Sequence, residues 1–517
     1  MLLLDLVWSV SQLFRLGGQF SAADGAADRC NALNGNLELP DTTILNTSYI
    51  AGQTTVPTPG SCQPSANVPV SLCRVEFVIT TSDSSSVHAE AWLPDEWSGR
   101  FLALGNGGLG GCIDYDNLDY GASLHFATVA SDNGHDGNDG KVFWNQPEVL
   151  KDFAFRAVHV ESVIGKQITE AYYGRKHDKS YFLGCSTGGR QATRAALSFP
   201  EDFDGIVAGA PATDFNHLIG WVLTQQTFFG PPPSPDRRNP NFIPPDLWDT
   251  VAEEILAQCD ELDGVKDRII TEPDACEFRP ESLICTGAMT ANSTCLSLAQ
   301  VEVLRKIYRP LYGLDGQLIY PRYDPGTEGD GNSQAVFSGT LFPISADWYK
   351  YTIFNDSEHD FSNFGLKDIA LADSINPAGI STFDGDLSAF RDRGGKFISY
   401  HGRRDQLIPS GNSKRVYDLI SSTLQMPTLD PFYRLFLVPG MTHCGLGPGA
   451  WKFGQVGGAT SNENASTHNV LLAVVDWVES GVAPDVMVGT SDDGKERAHC
   501  RYPQRSVWDG EKFNCRR

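Results

Sequence analysis

The run Gly184-Cys185-Ser186-Thr187-Gly188 sets one serine among small residues. A serine hydroxyl is a weak nucleophile until a neighbouring base takes its proton. The apolar stretch Tyr181-Phe182-Leu183 precedes it, and a helical run through Ala195 to Phe199 follows. A strand that turns abruptly into a helix needs small flanking residues so that its backbones can pass closely, and it leaves the serine exposed at the helix N-terminus. There the helix dipole and the Thr187 amide can stabilise an oxyanion. In chains of this design the acid and then the base follow in loops after later strands. The strand candidate Lys396 to Tyr400 runs into His401-Gly402-Arg403-Arg404-Asp405, and Arg434 to Val438 runs into Pro439-Gly440-Met441-Thr442-His443-Cys444. Ser186, Asp405 and His443 therefore arrive in the required order. His443 would take the serine proton and Asp405 would hold its tautomer. His401 is a rival base, set aside because it precedes the acid.

Other residues support this chemistry. The loop Gly105-Asn106-Gly107-Gly108-Leu109-Gly110-Gly111 follows an apolar strand upstream of the serine, where a second oxyanion amide belongs. Gly107 or Gly108 supplies it, and Gly108 is the candidate put forward. His135 in Asn133-Gly134-His135-Asp136-Gly137 is read as a loop residue. Cys185 precedes the serine and Cys444 follows the base, so a disulfide between them would restrain both groups where small displacements cost rate. Each could also pair elsewhere. The stretch Cys259-Asp260-Glu261-Leu262-Asp263-Gly264-Val265-Lys266-Asp267-Arg268-Ile269 packs carboxylates around a glycine turn. Calcium takes several oxygens. Asp260, Asp263 and Asp267 can offer carboxylates, and Val265 and Ile269 carbonyls. Trp221, Phe228, Phe229, Trp348, Tyr349 and Tyr351 are candidates for an apolar acyl slot, although large aromatics more often fill a core.

These residues must be positioned by a sheet. Strand and helix patterns alternate from Phe101 to Ala208, including a helix over Phe155 to Tyr173, and imply a parallel sheet with right-handed crossovers. The alternation breaks from about 213 to 385, then resumes and ends on a helix from Asn469 to Glu479. Phe77 to Thr80 and His88 to Leu93 form an early hairpin, and 30–75 reads as a turn-rich cap. A chain of 517 residues outgrows one core. It carries 64 acidic against 40 basic residues, a net charge of −24, which argues against nucleic-acid and anionic-membrane partners. The twelve cysteines contain no C-x-x-C pair, so six disulfides and an oxidising compartment are expected. Sequons at Asn46, Asn292, Asn355 and Asn464 and an apolar stretch within 1–25 point the same way.

Gly184 to Gln191, Asp405 and His443-Cys444 resemble the tannase and feruloyl esterase family, with further likeness at 105–111, 132–137, 390–396 and 499–503. The resemblance is closest to fungal type B feruloyl esterases. It implies an α/β-hydrolase core over 26–212 and 386–517, and a lid over 213–385 between nucleophile and acid. It implies a Cys185–Cys444 bridge and structural calcium on Asp260, Asp263, Val265, Asp267 and Ile269. Asp405-Gln406-Leu407 departs slightly from the family's usual acid loop. The expected function is a secreted serine esterase that cleaves hydroxycinnamoyl esters of plant cell-wall polysaccharide. A tannase acting on galloyl esters would share every one of these residues. A silent, calcium-stabilised polysaccharide-binding protein is the reading from another class, and the intact trio speaks against it.

Overall fold

A computed structural model of the chain describes residues 25–35, 37–230, 236, 238–287, 294–328, 336–455 and 465–517. The apolar N-terminal stretch up to residue 24 and the sequons at Asn292 and Asn464 lie outside them. Asn46 and Asn355 are exposed.

Nine strands form one sheet: β1 (Thr42–Ile50), β2 (Leu72–Ser82), β3 (Ser85–Pro94), β4 (Arg100–Leu104), β5 (Ala127–Ser131), β6 (Lys179–Cys185), β7 (Gly205–Gly209), β8 (Lys396–Gly402) and β9 (Tyr433–Val438). Their spatial order is β1-β2-β3-β5-β4-β6-β7-β8-β9. The first three strands run antiparallel, β3 pairs antiparallel with β5, and every later pairing is parallel. Parallel strands must be covered on both faces and so read as unbroken apolar runs. In β6 and β7, Phe182, Ile206 and Ala208 pack into one core while Leu183 and Val207 pack into the other. The helices α1 (Ala157–Tyr173) and α2 (Thr187–Ser198) cover the first face, and α7 (Val470–Ser480) covers the second. The strands expected from Phe101 to Ala208 and after Lys396 are all present.

Two regions differ from the sequence-based expectation. The segment read as a turn-rich cap contains the nine-residue strand β1. Only Thr47 of that strand is buried, so this edge strand lacks the apolar alternation that would announce it. The helix expected from Phe155 begins at Ala157, behind a five-residue π turn over Asp152–Arg156.

The chain leaves the sheet at Gly209 and rejoins it at Lys396. The intervening segment holds several helices, among them α3 (Phe215–Thr227), α4 (Pro245–Cys259) and α5 (Leu366–Ile375), and many single turns. It packs around its own core, which also takes in Phe143, Phe153 and Ile408 from the sheet domain. After Gly402, the helix α6 (Gly411–Thr423) leads back to β9. All twelve cysteines are paired, in six disulfides.

Candidate active site

Ser186 stands between β6 and α2 with φ 62° and ψ −118°. A side-chain-bearing residue enters this region only when its surroundings force it. The restraint is backbone hydrogen bonding: Ser186 N–H donates to Gly209 O at 3.0 Å, and its carbonyl accepts from Arg190 at 3.0 Å and Ala212 at 3.1 Å. Close packing requires glycine here, because a Cβ on Gly105 would lie 2.6 Å from Gly188 Cα, and one on Gly184 would lie 2.8 Å from the Gly188 carbonyl. Ser186 is half-buried and Thr187 buried.

The loop after β4 is fixed to this helix. Gln191 accepts from the Asn106 amide at 2.9 Å and donates from Nε2 to Asn106 Oδ1 at 2.8 Å. Asn106 Nδ2 in turn donates to Ser131 O at 2.8 Å. Thr187 Oγ1 donates to Gly108 O. Asn138 Oδ1 accepts from Leu109 at 2.6 Å and from Gly110 at 3.2 Å. Among the described residues, the amides of Gly107 and Gly108 have no protein acceptor, and neither does that of Thr187 in the first turn of α2. His135 is buried and donates from Nε2 to Leu109 O at 2.7 Å, so it braces the same loop from below.

Asp405 and His443 come together from the loops after β8 and β9. His443 Nδ1 lies 2.7 Å from Asp405 Oδ2. Asp405 is fully buried, and its other oxygen accepts from the amides of Leu407 at 2.9 Å and Ile408 at 2.8 Å. Burial opposes its charge, but His443 and the nearby Nε2–H of His401 outweigh it and hold the carboxyl well below the usual carboxylate range. The loops are bound to each other as well, with Arg404 N–H donating to Met441 O at 2.9 Å and His443 N–H to Gln406 Oε1 at 3.3 Å. The Cys185–Cys444 disulfide, with Cα atoms 6.0 Å apart, joins the residue before Ser186 to the residue after His443.

The acidic loop lies elsewhere. Asp260 is buried at the end of α4, and Cys259–Cys276 closes the segment. Asp263 accepts from Val265 N–H at 2.9 Å, and Asp260 and Asp267 share Ile269 N–H at 3.2 and 3.0 Å. Burial and then the charges of Asp263 and Asp260 hold the Asp267 carboxyl above its ordinary value. Three repelling carboxylates on one short loop make an all-oxygen donor set of the kind calcium takes. Their oxygens do not come within 4.8 Å of one another as a trio, a spacing that His88, Asp132 and Asp136 reach. The loop is closer to the base than its place in the chain suggests, for a Cβ on Gly440 would lie 3.2 Å from Ile269 Cγ2. Of the aromatic candidates, Trp221, Phe229, Trp348 and Tyr349 are members of the inserted core. Phe228 packs against that core, and Tyr351 faces Trp144 with ring centroids 5.9 Å apart.

A strained serine at a strand-to-helix turn, a hydrogen-bonded carboxylate and imidazole, and free amides beside the serine are the parts of acyl transfer. With the mixed, largely parallel sheet they define a carboxylic ester hydrolase of the α/β-hydrolase fold. The family model for tannase and feruloyl esterase matches residues 73–515. A probable feruloyl esterase B from Aspergillus clavatus is 42% identical over 516 residues, covering 97% of each chain. A probable feruloyl esterase B-2 from Aspergillus flavus is 45% identical over 486 residues, covering 90% of this chain and 91% of its own. The crystal structure of feruloyl esterase B from Aspergillus oryzae is 39% identical, covers 95% of this chain and 100% of its own, and superposes with a TM-score of 0.91. The tannin acyl hydrolase from Aspergillus niger, 22% identical over 95% of this chain and 96% of its own, shares the fold with a TM-score of 0.76. The chain belongs to the tannase and feruloyl esterase family.

Proposed function

We propose that this protein is a serine esterase that releases hydroxycinnamic acids, such as ferulic acid, from their esters on plant cell-wall polysaccharide. The observation that carries the chemistry is the 2.7 Å contact from His443 to Asp405, on loops bridged to the Ser186 turn by Cys185–Cys444. The acyl class rests on the feruloyl esterases to which the chain is 39–45% identical.

Ser186 Oγ attacks the ester carbonyl while His443 Nε2 takes its proton. Asp405 keeps the His443 proton on Nδ1 and stabilises the imidazolium that forms. The amide of Thr187 and that of Gly108, or its neighbour Gly107, receive the negative charge on the carbonyl oxygen. The imidazolium gives its proton to the departing alcohol, leaving an acyl-enzyme. Water attacks by the same route in reverse, and the phenolic acid leaves.

The segment 213–385 is proposed as a lid over this site. Calcium is proposed on Asp260, Asp263, Asp267 and the carbonyls of Val265 and Ile269, where it would offset the repulsion among the carboxylates and stiffen the loop. An extracellular location agrees with six disulfides, and with the absence among the described residues of any helix long and apolar enough to cross a membrane.

The test is hydrolysis of methyl ferulate, methyl caffeate and methyl gallate, with Ser186→Ala alongside. Release of the cinnamic acids but little gallate, lost in the variant, is expected. Gallate release alone would move the acyl class to that of the tannases, and no release from any ester would reject the esterase reading.

A further inference from the structure

His401 is fully buried, four residues before Asp405, at the point where β8 meets its loop. It is not placed to serve as the base, since it is closed off from solvent and both its ring nitrogens are engaged, by Ser413 and Ile408. Its Nε2 stands 2.7 Å from the Ile408 carbonyl and 3.2 Å from Asp405 Oδ2. Both are acceptors, so Nε2 carries the proton. Its Nδ1 stands 2.7 Å from Ser413 Oγ on α6. The oxygen that His401 touches is the one that receives His443 Nδ1–H.

We propose that His401 is a positioning residue for the reaction: its Nε2–H, anchored on the Ile408 carbonyl, stands against Asp405 Oδ2 and tempers that oxygen's charge so that His443 can give its proton away. Two amides already hold Oδ1. Without His401, Oδ2 would face only the very group it must orient. A carboxylate that shares its charge with a second donor also binds an imidazolium less tightly. His401 therefore affects both the geometry of His443 and the pH at which it works. The other charged or titratable neighbours leave this role to it. Tyr320 and Tyr323 of the inserted segment feel the Asp405 charge, but burial keeps both hydroxyls neutral. Arg403 is engaged by Asp274 at 2.8 Å and Ser410 at 3.0 Å.

This inference rests on the reading of Asp405 and His443 given above, and the test keeps the two apart. His401→Phe keeps a flat ring and removes the donor, whereas His401→Gln returns an N–H near the Nε2 position. On methyl ferulate, kcat of the Phe variant should fall about 10- to 100-fold, with KM changed less than about threefold. The acid limb of its kcat/KM profile should move to higher pH, because the unshared Asp405 charge holds the protonated form of the base more tightly. His401→Gln should recover most of both. Ser413→Ala, which removes only the hydroxyl behind His401, should move the acid limb the same way by less, and it reports on the role if the Phe variant does not fold. An acid limb unmoved in Ser413→Ala and in folded His401→Phe would overturn the proposal, as would equal losses in the Phe and Gln variants. If instead Asp405→Asn proved harmless, the underlying reading would be what failed.

Discussion

The loops around Ser186 and His443 and the segment inserted between Gly209 and Lys396 are built on opposite plans. Around the site, the positioning side chains are held by directional bonds: Asp405 receives bonds on both oxygens, and Asn106 and Gln191 satisfy each other. In the inserted core, Trp221, Trp348, Tyr320, Tyr323 and Tyr349 are all essentially buried. Each carries a polar atom without a protein partner among the described residues. The first plan yields position, since directional bonds fix atoms to fractions of an ångström. The second yields bulk, since aromatic contact is large in area and loose in direction. Changes near the sheet should therefore register in kcat, and changes in the inserted segment in thermal stability.

The sharpest way to break that division is at the nucleophile. Ser186→Ala should lower kcat by about 10,000-fold to a million-fold with little change in Tm, and Asp405→Asn by about 10,000-fold, as steady-state assays on methyl ferulate would show. A large fall in Tm in either would mean that the site also holds the fold. Next comes the paired change Cys185→Ser and Cys444→Ser. These residues are 259 apart in sequence, so the bridge closes a long loop, and its loss should cost about 4 kcal/mol of stability in denaturant titration. It should also lower kcat about 100-fold, because Ser186 and His443 become separately mobile. This variant blurs the comparison, since it alone should fall on both axes.

Chelation sharpens it from the other side. Dialysis against a chelator should lower Tm by several degrees while kcat at low temperature stays within about twofold. An unchanged melting curve would remove calcium from the picture. The smallest effect should come from His217 on α3. Burial opposes its charge, but hydrogen bonds to Asp214 and Asp373 outweigh it and push its pKa up to about 9. A raised folded pKa gives stability that is full below the unfolded value of about 6.5 and is lost as pH climbs through the folded one. The Tm deficit of His217→Gln should be roughly 2 °C at pH 6 and vanish above about pH 9.5, with kcat unaffected throughout. A deficit that persisted at high pH would assign the residue a packing role.

The same division decides which elements are legible in the amino-acid sequence. β4, β6, β7, β8 and β9 are buried on both faces, so their sequences are plain apolar runs. The turn at Ser186 announces itself because close approach to Gly105 and Gly188 admits so few residue types. Asp405 and His443 follow from chain order once that turn is placed. β1 is hidden because its side chains lie at an exposed edge. The π turn at Asp152–Arg156 has no spacing of its own to betray it. His401 is visible as a chemical group but not as a neighbour, since only folding brings its Nε2 to the inner side of Asp405. The approach of Ile269 to Gly440 is likewise invisible, because two loops about 170 positions apart meet without a motif on either.

The Cys185–Cys444 link also bears on when the enzyme becomes an enzyme. A cystine forms only where an oxidant accepts its two electrons, and cytosolic thiol buffers oppose that step. A newly made chain kept among reductants would carry its nucleophile and its base on unlinked loops. The bond thus couples assembly of the site to the oxidation of Cys185 and Cys444.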